Sequence, residues 1–149
     1  MGEAEGTSLR GDRGCYLLVI KIDGPCRLSL GRRSVSLSAG FYGYVGSAQR
    51  ALAARLARHQ RPLSAKKSRW HIDGLLAHGR LEATLAWPLS RPGECWLAGR
   101  LLREPGVNLA ARRFGSSDCR CPGHLVAFAH PPDLEAIKRI RLPKGLRLD

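Results

Sequence analysis

The chain has 149 residues, enough for one domain that can bury roughly two thirds of its unfolded surface without a disulfide or a metal. Twenty-five Lys and Arg against twelve Asp and Glu leave a net charge of +13, which fits either a polyanionic partner or charge kept for solubility. An odd number of cysteines (Cys15, Cys26, Cys95, Cys119, Cys121) and a polar N-terminus suggest a reducing, cytoplasmic compartment. With no long apolar stretch and Gly6 where a myristoylation signal wants Ser or Thr, no membrane partner is expected.

In chain order, residues 1–13 are Gly-rich and charged and are expected to be a disordered tail. Cys15 to Ile22 is a β-branched and apolar run that predicts a buried strand, turned by Asp23-Gly24-Pro25. Cys26, Leu28 and Leu30 alternate with polar residues, which predicts a half-buried strand pairing with the first as a hairpin. Val35 and Leu37 alternate with Ser36 and Ser38, and Phe41 to Val45 is a further strand.

From Ala48 the period changes. Leu52 and Leu56 predict a helix stopped by Pro62, and a second helix covers Trp70 to Ala77. Leu81 to Trp87 is a short strand. Ser90, Pro92 and Glu94 start a helix that carries Leu97 and Leu101 and ends near Pro105-Gly106. Phe114 to Gly123 is a loop, His124 to Ala129 a strand and Pro132 to Ile140 a closing helix, before a basic C-terminal tail at residues 141–149. The whole is α+β, a small antiparallel or mixed β-sheet flanked by helices, with residues 14–140 as its one folded domain.

The distribution of charge favours a polyanionic partner. Between Gln49 and Arg69 stand Arg50, Arg55, Arg58, Arg61, Lys66, Lys67 and Arg69 with no acidic residue, a footprint for backbone phosphates. On a helical wheel Arg55 and His59 lie within about 60° of Leu52, whereas Arg50, Arg58 and Arg61 point away. An inward guanidinium pairs with a carboxylate or awaits a phosphate. Ahead of this helix, Tyr42-Gly43-Tyr44-Val45-Gly46-Ser47-Ala48 carries a strand through glycine towards a helix N-terminus, where a phosphate can come close.

Glu94 shares a helical face with Leu97 and Leu101, which suits a Mg²⁺ or Mn²⁺ ligand or a partner of the helix dipole. Asp73 is open to a site role beside His71 or to an ordinary helix cap. Cys119, Cys121 and His124, with Cys95 as a fourth, fit either a structural Zn²⁺ site or buried reduced cysteines. Ser116, Ser117 and Asp118 precede them at a site rim where hydroxyls and N–H groups grip a phosphate.

Gly14-Cys15-Tyr16, Tyr44-Val45-Gly46, Arg55 and Glu94, in that order, resemble GIY-YIG nucleases. More narrowly, the Tyr44 to Ala48 segment, Arg58-His59, Trp70-His71-Ile72-Asp73, Glu94-Cys95 and Phe114-Gly115-Ser116-Ser117-Asp118-Cys119 resemble the branch called domain of unknown function 123. Its members stand alone or are joined to endonuclease III-like repair enzymes. The resemblance implies hydrolysis of DNA phosphodiesters with one Mg²⁺ or Mn²⁺ ion, in repair, on DNA that is branched, damaged or single-stranded.

In that reading Tyr44 assists deprotonation of the attacking water and Tyr16 holds the nucleophile or the phosphate. Glu94 carries the metal, and Arg55 stabilises charge on the phosphate oxygens. A cation such as Arg55 or the metal is then needed to lower the Tyr44 pKa. Cys15 replaces the usual Ile and Ser47 stands where repair relatives carry Lys, so His59 either supplies that function or merely meets the helix dipole. Gly46, Ser47, Arg50, Arg58, Lys66, Lys67 and Arg69 complete the nucleic-acid surface. The alternatives are an inactive nucleic-acid-binding module on the same fold and a zinc-stabilised interaction domain.

Overall fold

A computed structural model describes residues 5–6, 11–62, 70–115 and 121–148. Strand β1 is Glu5–Gly6, β2 Gly14–Ile22, β3 Cys26–Leu30, β4 Arg33–Leu37 and β5 Gly40–Ala48. Helices α1, Leu52–Gln60, and α2, His71–His78, follow, then β6, Arg80–Trp87, and α3, Gly93–Leu102. Strands β7, Val107–Leu109, and β8, Leu125–Phe128, lead to α4, Leu134–Lys138. The main sheet runs β1-β6-β2-β5-β8-β7; all its neighbours are antiparallel except β1, which pairs in parallel with β6.

Strand β2 is apolar on both faces, and a strand of that kind needs both edges paired and both faces covered. It has β5 on one side and β6 on the other. Side-chain alternation then divides the core. Tyr16, Leu18, Ile20 and Ile22 face Leu52 and Leu56 of α1 and Ile72 and Leu75 of α2, whereas Cys15, Leu17 and Val19 face Leu97 and Leu101 of α3 and Ile137 of α4.

Strand β3 corrects one expectation. It does not pair with β2, whose two edges are taken, but with β4 in a separate two-stranded sheet. The alternation that marked it as half-buried holds, because Leu28 and Leu37 point inward and Leu28 lies against Gly74 of α2. Strand β7 lies in a stretch with no strand signal strong enough to mark it.

Both ends of the chain are engaged with the fold. Glu5–Gly6, inside the segment whose composition suggests a tail, pairs with Leu85 and Ala86. Residues 141–148 are basic yet packed: Leu142 and Leu146 join the α3 side of the core, Ser90 N–H donates to the Leu146 carbonyl and Leu148 N–H to that of Pro88. No helix among the described residues is long and apolar enough to cross a membrane.

Candidate functional site

A cleft of about 900 Å³ opens where the start of β2, the end of β5, α1 and the first turns of α2 and α3 converge. Tyr16, Tyr44, Arg55 and Glu94, four residues singled out from sequence, line it together with Gly46, Ser47, Arg50, His71 and His124. Sequence reasoning missed Arg91 and Gln49, which also line it; neither sits in a periodic or motif-like context.

Tyr16 is buried and its hydroxyl lies 3.0 Å from Nε2 of His59, itself buried on the inner face of α1. The wheel placed His59 correctly, but its partner is the Tyr16 phenol and it stands behind the cleft wall rather than on it. Gly46 faces Tyr16 directly across the β2–β5 ladder. A Cβ there would come within 2.5 Å of the Tyr16 hydroxyl, so Gly46 makes room for the Tyr16 ring. Gly46 also lines the cleft, where it was expected to admit a phosphate. The N-terminus of α1 is likewise occupied: the Asp12 carbonyl accepts from Leu52 N–H at 3.0 Å and its carboxylate from Ala53 N–H at 2.8 Å.

Arg55 and Arg58 part company. Arg55 reaches the cleft, donates to the Ser47 carbonyl at 3.1 Å, meets the Tyr16 phenol and stands 5.0 Å from the Trp70 ring centre. Its partners among the described residues are neutral. Arg58 instead grips Asp73 through both guanidinium nitrogens and lies 3.7 Å over Trp70. The wheel set Arg58 outward for phosphate. A flexible side chain returns to a carboxylate that is 1% exposed, and that corrects its assignment to a nucleic-acid surface. Asp73 also accepts Trp70 N–H at 2.7 Å, the capping role.

Glu94, in the first turn of α3, is one-fifth exposed to the cleft. Its Oε2 accepts from the Ser47 hydroxyl and its Oε1 lies 2.8 Å from His124 Nδ1. On the far side of that ring, Nε2 lies 2.7 Å from Cys121 Sγ and 3.6 Å from Cys95 Sγ. So Cys95, Cys121 and His124 do converge, as the sequence allowed. Cys119, Lys66, Lys67, Arg69, Ser116, Ser117 and Asp118 lie outside the described residues. Cys15, Cys26, Cys95 and Cys121 are thiols rather than disulfides.

Burial alone would raise the Glu94 pKa, but hydrogen bonds from His124 and Ser47, with the charges of His124 and Arg91, hold it below its ordinary value. The tyrosines go the other way. Burial pushes Tyr44 up to about 12, the nearby Glu94 adds to it, and Arg55 only partly offsets both. Tyr16 is raised too, by burial first and by Tyr44 next. Arg55 by itself does not lower Tyr44: it acts in that direction, and desolvation outweighs it. Cys15 is an inert core thiol, raised to about 12 by burial, with Sγ 3.4 Å from the Ser90 carbonyl.

An α+β sheet layered between helices, with a basic, aromatic-walled cleft at the ends of its central strands, defines the class of protein. The chain belongs to the family described as domain of unknown function DUF123, whose family model matches residues 15–142. No curated protein and no solved structure matches it.

Proposed function

We propose that the chain is a GIY-YIG-type endonuclease that hydrolyses DNA phosphodiesters, in repair and in the cytoplasm. The observation that carries this reading is Arg55: a guanidinium facing a cleft, opposite two tyrosines, with only neutral partners among the described residues. A partly buried cation in that position is completed by an anionic ligand, and its planar fork suits a phosphate. Arg50 and Arg91 on the rim extend the positive field along a backbone.

Within the cleft Tyr44 assists deprotonation of the attacking water, Tyr16 positions the phosphate from its anchor on His59, and Arg55 neutralises charge at phosphorus. Glu94 fits a Mg²⁺ or Mn²⁺ ligand, because each oxygen keeps a lone pair after its hydrogen bond. A hard cation needs one carboxylate, waters and substrate phosphate oxygens. Such an ion supplies Lewis-acid activation of the phosphate and of the water.

The test is incubation with single-stranded, duplex, branched and damaged DNA in Mg²⁺ or Mn²⁺. Cutting that disappears in Glu94→Ala, with an unchanged circular dichroism spectrum, supports the enzyme. Binding without cutting in every condition favours a non-catalytic nucleic-acid module on the same fold, a second reading for which the raised Tyr16 and Tyr44 phenols speak.

A further inference from the structure

The Glu94–His124–Cys95–Cys121 cluster is not used by that chemistry beyond the Glu94 carboxylate. Its donor atoms come from three places in the chain: Cys95 on α3, Cys121 in the loop before β8 and His124 at the start of β8. Sγ of both cysteines and a ring nitrogen of His124 all lie within 4.8 Å of one another. Two sulfurs and one imidazole form a soft donor set that selects Zn²⁺ over Mg²⁺ or Ca²⁺.

One of the two S···N edges already fits tetrahedral ligation. Zn–S near 2.3 Å and Zn–N near 2.1 Å put the S···N edge of a tetrahedron at about 3.6 Å. Cys95 Sγ stands 3.6 Å from His124 Nε2. Cys121 Sγ, at 2.7 Å, has to move outward by about 0.9 Å to reach the tetrahedral edge, and it sits in a bend rather than in a helix or strand.

A second observation is independent of the sulfurs. Glu94 Oε1 lies 2.8 Å from Nδ1 of His124, on the side of the ring away from the thiols that Nε2 faces. A carboxylate behind the distal nitrogen is what metal-ligating histidines carry. The His124 backbone is clamped as well: its N–H donates to the Phe114 carbonyl at 2.7 Å and its carbonyl accepts from Val45 N–H at 2.9 Å. The ring is thus held from both ends before any ion arrives.

We infer that Cys95, Cys121 and His124 bind a Zn²⁺ ion, with Glu94 as the outer carboxylate that orients His124. The ion takes the place of a proton on each thiol and binds the Nε2 lone pair, and these three ligands leave one tetrahedral position for a further donor. Cys95 and His124 line the cleft, so the ion forms part of its wall and ties α3 to β8. This inference stands apart from phosphodiester hydrolysis, because zinc content is measured with no nucleic acid present.

The full chain is produced in zinc-supplemented medium, desalted and analysed for metal, with one Zn²⁺ per chain expected. The apoprotein, prepared with a chelator, is then titrated with Co²⁺, and a thiolate-to-cobalt charge-transfer band with the intense visible bands of a tetrahedral site is expected. Cys95→Ser and Cys121→Ser weaken the band and Zn²⁺ affinity, Glu94→Gln lowers affinity about 10- to 100-fold, and Cys26→Ser, outside the cluster, keeps full zinc. Substoichiometric zinc in the unmodified chain together with no cobalt band overturns the inference, whether or not the variants fold. So does full zinc retention in both serine variants.

Discussion

Arg58 reaches from α1 to α2 and closes two hydrogen bonds on Asp73, Nη1 to Oδ1 at 3.1 Å and Nη2 to Oδ2 at 3.0 Å, with the guanidinium over Trp70. Both groups are largely withdrawn from water, at 14% and 1% exposure. Removing one partner strands the other charge, which costs roughly 3–5 kcal/mol at buried pairs. Asp73→Ala is therefore expected to lower the unfolding free energy by about 3 kcal/mol, and Arg58→Ala by a similar amount. In a urea-denaturation cycle the double variant falls well short of the sum; strict additivity would show the pair to be uncoupled.

The same pairing separates two arginines in DNA binding. Arg50 is exposed on the cleft rim, whereas the charge of Arg58 is already compensated. Arg50→Ala should reduce the slope of log affinity against log salt by about 1, and Arg58→Ala should leave it within error. Fluorescence anisotropy over a salt series reads both, and equal slope changes would restore Arg58 to the phosphate surface.

Several features were legible because they depend on local periodicity. The unbroken apolar run of β2, the Leu52–Leu56 spacing and the inward positions of Arg55 and His59 all follow from where a side chain leaves the backbone. What was not legible depends on partners. The alternation in β3 shows that one face is buried but not that β2 has no edge left for it. A wheel gives the direction of the Arg58 Cβ, not the path of a long side chain back to Asp73. Gly46 reads as a place for close approach, but that it makes room for the Tyr16 ring depends on a strand met across the ladder. No spacing rule joins His124 to Glu94, whose contact was not foreseen.

Glu94 and Tyr44 make opposite predictions for stability against pH. Glu94 is held below its ordinary 4.5, so its contribution is complete above that value and is lost as pH falls through the lowered folded-state pKa. Tyr44 is raised from 10.0 to about 12, so its contribution is complete below 10.0 and is lost as pH rises towards 12. Thermal melts followed across pH should show Glu94→Gln with a shallower acid limb and Tyr44→Phe with a shallower alkaline limb. An acid limb unchanged by Glu94→Gln would mean that the hydrogen bonds from Ser47 and His124 do not favour the ionised carboxylate.

Arg55 gives the sharpest test of the cleft as a catalytic site. Its contacts are a carbonyl, a phenol and an aromatic ring, so its loss strands no opposite charge and should cost no more than about 1 kcal/mol of stability. If it meets charge that develops on a phosphate in the transition state, Arg55→Ala should lower single-turnover cleavage by about 10²- to 10³-fold. Arg55→Lys keeps the charge but not the fork, and should recover only part of that loss. A variant that cuts at the normal maximal rate but needs more DNA to saturate would place Arg55 in ground-state binding instead, because an interaction made equally in both states changes KM without changing kcat.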